Sequence, residues 1–189
     1  MRCAAACRSY RPCGYPGCPH TEDIQIGVDN NAHGDYNMDI LDNDVLGGSG
    51  KVRLGVGNDA GWDNRGSIRD NDVYNADGTV DIGVANTAGR NSYMEIYRNK
   101  VDGSIPGAHV RMGVANDACY DNRMKVMRNT VKNAVDDVDI GVGNRAGRHN
   151  YMQVYDNEVL GGTGRVKIGT GNTATNNNNS RIRGNKVYR

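Results

Sequence analysis

Two acidic clusters raise the first chemical question: Asp42 and Asp44 in "LDND", and Asp70 and Asp72 in "RDND". Four carboxylates could hold a calcium ion through hard oxygen donors, or divide the roles of acid and base at a glycosidic bond. A second set stands near the N-terminus, in "MRCAAACRSYRPCGYPGCPHTE", where Cys3, Cys7, Cys13 and Cys18 crowd together with His20. These cysteines could pair as disulfides, in any of the three connectivities open to four thiols, or bind zinc with His20. The spacing is not the paired C-x-x-C of zinc ribbons, and Pro12, Pro16 and Pro19 exclude regular structure, so disulfides are the preferred reading. His33, His109 and His149 share no common spacing, so no pair is set to share a metal or a proton.

The elements that must position these residues are read from a repeat. Gly27, Gly55, Gly83, Gly113, Gly141 and Gly169 each follow an apolar residue, at intervals of 28 with one interval of 30. Three residues after each glycine stands an asparagine: Asn30, Asn58, Asn86, Asn116, Asn144 and Asn172. A second asparagine series, Asn43, Asn71, Asn99, Asn129, Asn157 and Asn185, is followed two residues later by valine in every copy. The two-residue insertion falls in "DGSIPGAHV", a connection between copies where a turn absorbs it.

Composition agrees with thin strands rather than helices. The chain has 26 Gly, no Phe and one Trp, and valine leads the aliphatic residues. Its 189 residues give a net charge of +1 with both signs interspersed, so no broad field draws in nucleic acid or an anionic membrane, and no apolar run is long enough to span a bilayer.

Each copy reads as two strands. In "VDIGVAN" the alternation puts Val80, Ile82 and Val84 on one face; in "YMEIYRNKV" Met94 and Ile96 point inward. Two positions beyond the Ile column stand Asp42, Asp70, Arg98, Arg128, Asp156 and Gly184, whose charges a straight strand would bury. A bend is required there, and the asparagine that follows is expected to supply the left-handed backbone. Units that cannot bury their own face, stacked on copies of themselves, make a parallel β-solenoid, either a right-handed β-helix or a stack of β-arches. The expected organisation is all-β: six coils over residues 23–189, preceded by an irregular Cys-rich segment over 1–22.

Stacking makes neighbours of equivalent outward residues. One column reads Gln25, Arg53, Asp81, Arg111, Asp139, Lys167, with alternating sign from Arg53 onward. Another is read as Tyr36, Arg65, Tyr93, Arg123, Tyr151, Asn179, suited to guanidinium stacking on phenol rings. The rhythm makes a pair of coils the repeating unit. It also places Arg98 and Lys100 beside the acidic clusters, so charge pairing competes with calcium for Asp42, Asp44, Asp70 and Asp72. Asparagine amides stacked at strand spacing can donate and accept along a column. Cys119, where copies two, three and five have glycine, is expected to be a small buried or half-buried residue.

The second strand, "IYRNKV", "VMRNTV", "VYDNEV", resembles the I-x-x-N-x-[IV] coil of right-handed parallel β-helices of the pectate-lyase type. The first, "GVGNDA", "GVANTA", "GVGNRA", resembles the G-x-x-N-x-A element of curli-type functional amyloid. What both resemblances imply is the stacked parallel coil. The sixth copy stops two residues after its valine, so an open last coil is expected, with the first coil of another molecule continuing its columns and Tyr36 following Asn179. The expected function is therefore non-enzymatic and cofactor-free: an extracellular or cell-surface structural protein that assembles head to tail with itself. The alternative is a β-helix that binds or cleaves polysaccharide, with Trp62 and Tyr120 in equivalent arcs as glycan contacts.

Overall fold

The computed structural model describes residues 23–46, 50–76, 78–103, 109–162 and 164–188; Cys3, Cys7, Cys13, Cys18 and His20 lie outside them. The described residues form a parallel β-solenoid of six coils, with strands but no helix among them. Each coil contributes one strand to each of four six-stranded sheets, and every sheet follows coil order. In the third coil the strands are Val80–Ile82, Thr87–Ala88, Ser92–Tyr97 and Lys100–Gly103, here assigned to sheets 1, 2, 3 and 4. All pairings are parallel, and in register apart from a shift between Asp102 and Gly103 opposite Tyr74–Ala76: Val80 lies between Val52 and Val110, and Ile96 between Ile68 and Val126.

The four-strand coil corrects the two-strand expectation, and the cause is backbone handedness. Three equivalent positions have positive φ in every coil; in the third coil they are Gly83 at 62°, Ala85 at 55° and Arg98 at 54°. The first position is glycine in all six coils for a steric reason too. A Cβ on Gly83 would stand 2.7 Å from Ile96 Cδ1, so the corner closes only where there is no side chain. Two left-handed residues flanking Val84 swing it away from Val80 and Ile82. It packs instead with Val56 and Val114 in a separate small cluster, contrary to the single face expected from alternation.

The bend in the second half of the coil occurs where expected, but asparagine is not the residue that makes it. Asp42, Asp70, Arg98, Arg128, Asp156 and Gly184 carry the positive φ. Turning at those positions keeps the charged side chains outside and lets the next residue, the ladder asparagine, face inward. Beyond the bend the valine column returns to the core: Val73, Val101 and Val131 are each at most 1% exposed. The main core is thus a stack of apolar columns one residue wide, of which Ile68, Ile96 and Val126 form one.

The expected tyrosine–arginine column needs one correction. Tyr36 pairs with Asn64, and it is Asn37 that pairs with Arg65. The true column is Asn37, Arg65, Tyr93, Arg123, Tyr151, Asn179, and within it Arg123 sits over Tyr93 and Tyr151 at 5.8 and 5.5 Å.

Candidate functional site

The most extensively bonded polar groups are the two asparagine ladders, each preceded in sequence by a left-handed residue that aims the amide inward. Asn86 shows the pattern. Its Oδ1 accepts the backbone N–H and the Nδ2 of Asn58, both at 3.0 Å. Its Nδ2 donates to the Gly55 carbonyl at 2.9 Å and to Asn116 Oδ1 at 3.0 Å. Asn99 repeats this in the second ladder: Oδ1 accepts Asn71 N–H at 3.1 Å and Asn71 Nδ2 at 2.8 Å, while Nδ2 donates to Ile68 O at 2.9 Å and Asn129 Oδ1 at 3.1 Å. Both side chains are fully buried, and every hydrogen-bonding valence of the amide is used.

The ladders have a direction. At each step the earlier coil donates to Oδ1 of the later one, through both backbone N–H and Nδ2. At the first coil, Oδ1 of Asn30 and of Asn43 receives no donor among the described residues. At the sixth, Asn172 and Asn185 donate back to Gly141 O and Val154 O, and their backbone N–H groups have no acceptor among the described residues. Within the ladders, therefore, the first coil presents open Oδ1 acceptors and the sixth coil open backbone N–H donors.

A third buried series escaped the sequence reading. Asn64, Ser92, Asn122, Asn150 and Asn178 share one column; Asn122 donates to Asn150 at 3.3 Å, and Asn150 to Asn178 at 3.1 Å. A signal existed, an asparagine or serine two residues before the methionine column in five of the six coils, but Tyr36 in the first coil breaks the recurrence that the other two series keep.

The charge column is aligned as expected, and its contacts are uneven. Arg111 grips Asp81 through Nε and Nη2, both at 2.6 Å, with Asp81 only 3% exposed. The hydrogen bond to Asp81, aided by its charge and opposed by desolvation, raises the Arg111 pKa above its ordinary value. Lys167 stands 3.6 Å from Asp139, while Arg53 reaches Asp23 and Asp29 at 3.9 and 4.0 Å.

Of the two acidic clusters, Asp70 and Asp72 are engaged by neighbours, while Asp42 and Asp44 make no ion pair among the described residues. Arg98 Nε lies 2.7 Å from Asp70, Lys100 Nζ 3.1 Å from Asp72, and the Tyr74 hydroxyl donates to Asp72 at 2.7 Å. Among the described residues no three acidic, histidine or cysteine side chains are grouped to hold a metal ion. Trp62 and Tyr120, 58% and 46% exposed, stand in one column with Arg90 between them, and Arg148 lies over the Tyr120 ring at 5.5 Å. Cys119 is exposed, correcting the expectation of burial. It occupies the column of Gly89 and Gly147, where a Cβ would strike the carbonyl of the coil before it.

No family model, no curated protein and no solved structure matches this chain.

Proposed function

We propose that this protein is a non-enzymatic structural subunit that assembles with itself, the sixth coil of one copy receiving the first coil of the next, into an extracellular filament, sheath or coat. The observation that carries the reading is the polarity of the asparagine ladders. Superposing the repeat on itself sets Asn172 against Asn30 and Asn185 against Asn43, so that unsatisfied donors meet unsatisfied acceptors with the geometry of every interior step. Apolar columns continue as well. Ile182 and Val187 are 46% and 43% exposed, whereas Val154 and Val159 one coil earlier are at most 1% exposed, and Ile40 and Val45 would follow them. Four parallel strand edges then extend across the junction, which is the means by which an open sheet edge recruits another chain. An extracellular setting follows from reading the Cys-rich segment as disulfide-forming, since such bonds persist in oxidising compartments.

Electron microscopy and fibre diffraction of the purified full chain test the proposal. Filaments with a meridional spacing of about 4.8 Å, the parallel strand repeat, are expected. A monodisperse monomer at every concentration tried refutes it. The alternative, polysaccharide binding or cleavage, rests on exposed Trp62 and Tyr120 in one column, and would show as discrete particles that retain or deplete a glycan.

A further inference from the structure

The net charge of +1 conceals a separation of charge along the solenoid axis. Between residues 23 and 46 the first coil carries Asp23, Asp29, Asp35, Asp39, Asp42 and Asp44, with no lysine or arginine. Between residues 165 and 188 the sixth coil carries Arg165, Lys167, Arg181, Arg183 and Lys186, with no aspartate or glutamate. Each of the four interior coils holds both signs. The interspersion read from the whole sequence is thus a property of the middle of the stack, and the two ends are poles.

We infer that these poles are the specificity element of the junction between copies: each end accepts the opposite end of a second chain and rejects its own kind. The inference rests on the self-assembly reading and adds the partner's orientation and its chemical basis. Register supplies the detail. The column containing Arg181 runs back through Gln153, Lys125, Glu95 and Ser67 to Asp39. That containing Lys186 runs back through Glu158, Thr130, Lys100 and Asp72 to Asp44. Arg165 shares its column with Asp137, His109, Thr79, Lys51 and Asp23. Continuing the stack by one coil therefore sets Arg181 beside Asp39, Lys186 beside Asp44 and Arg165 beside Asp23. Lys167 meets the neutral Gln25, and none of these columns sets like charges together across the junction, although within the chain Asp44 stacks on Asp72.

All six of the paired side chains are exposed. Asp23 is already engaged, accepting the Lys51 backbone N–H at 2.8 Å and lying 3.9 Å from Arg53; Asp39, Asp44, Arg181 and Lys186 make no ion pair among the described residues. Two acidic ends facing each other, or two basic ones, would crowd like charges together, a repulsion that grows as salt is removed. Opposite ends attract over the same range, and such complementarity governs orientation and encounter rate more than final affinity.

The test uses two reciprocal variants of the full chain. D39K/D44K places lysines in the two first-coil columns that would meet Arg181 and Lys186; R181E/K186E places glutamates in the two sixth-coil columns that would meet Asp39 and Asp44. At low ionic strength each alone is expected to need at least about a tenfold higher concentration than the wild type to form filaments. Mixed in equal amounts they are expected to assemble at nearly the wild-type concentration, because every junction in an alternating copolymer is again acid on base. Because Lys186 lies beside Glu158, the single variants D39K and R181E, which face Ser67 and Gln153, serve as a second pair, and far-UV circular dichroism verifies the fold of each. If the wild type forms filaments and each variant alone does so equally well, the charge inference falls and self-assembly stands. A mixture that fails while both variants are folded also overturns the inference. Should the wild type itself not assemble, both readings fall together.

Discussion

Asparagine 99 offers the sharpest test of what holds the stack together. Replacing it by alanine removes both acceptor positions used by Asn71, whose backbone N–H and Nδ2 lie 3.1 and 2.8 Å from Asn99 Oδ1. It also removes the donor to the Ile68 carbonyl. Asn71 is buried, so its backbone N–H loses its acceptor away from water, while its Nδ2 retains Ile40 O and Arg69 O, each at 3.0 Å; with the donors lost by Ile68 O and Asn129 Oδ1, the cost is about 2–4 kcal/mol in all. Asn43→Ala provides the comparison. Asn43 stands at the open end of the same ladder, with no described donor to its Oδ1; its Nδ2 contacts are to Leu41 O and Asn71 Oδ1, and its loss should cost only about 1 kcal/mol. Repeat arrays can unfold in segments, so denaturant titration should be paired with hydrogen exchange. The amide of Asn71 should lose most of its protection in Asn99→Ala and little in Asn43→Ala. Equal destabilisation by the two substitutions would refute the reasoning, since the ladder would then contribute nothing specific to its buried steps.

Other outcomes follow from the same geometry. Gly83→Ala should destabilise by about 1–3 kcal/mol in urea unfolding, because it places a Cβ at a left-handed corner and 2.7 Å from Ile96 Cδ1. Asp81→Asn should cost about 1–3 kcal/mol, less than a fully buried pair because Arg111 retains some solvent contact, and more than Arg53→Gln, whose nearest carboxylate is 3.9 Å away. The Tyr74 phenol has a raised pKa, chiefly from its hydrogen bond to Asp72. The folded state therefore holds this proton more tightly than the unfolded chain, and the hydrogen bond's contribution is intact below the ordinary phenol value and fades as pH rises through the raised one. In Asp72→Asn the Tyr74 titration, followed by ring NMR signals, should move down toward the ordinary value.

Much of the architecture was legible because stacking turns physical constraints into columns. A glycine whose Cβ would strike the next side chain, and an asparagine whose amide bonds both adjacent coils, cannot vary from copy to copy, so Gly83 and Asn86 announce the period. Features without that constraint were harder to read. Val84 looks like a continuation of Val80 and Ile82 until the left-handed pair around it is known, because alternation describes an unbroken strand. Tyr36 was placed one residue out of register: it lies 29 residues before Arg65 rather than 28, and chemical fit took precedence over spacing. Asparagine's tolerance of positive φ suggested a bend at Asn99, yet Arg98 turns there instead, because the amide is needed inside. The charged poles were hidden by summation over the whole chain.

The ion pairs of the alternating column bear on how such a chain can change its length. Asp81 bonds forward to Arg111 and Asp139 to Lys167, so pairs within this column join the third coil to the fourth and the fifth to the sixth, while Arg53, opposite the neutral Gln25, reaches Asp23 and Asp29 outside the column, as His109 reaches Asp139. Excising the third, fourth or fifth coil in frame would set two cations, or two aspartates, face to face. Excising or duplicating two leaves the sequence of signs unbroken. Growth and shrinkage of this gene should thus proceed by even steps, a parity rule written by electrostatics.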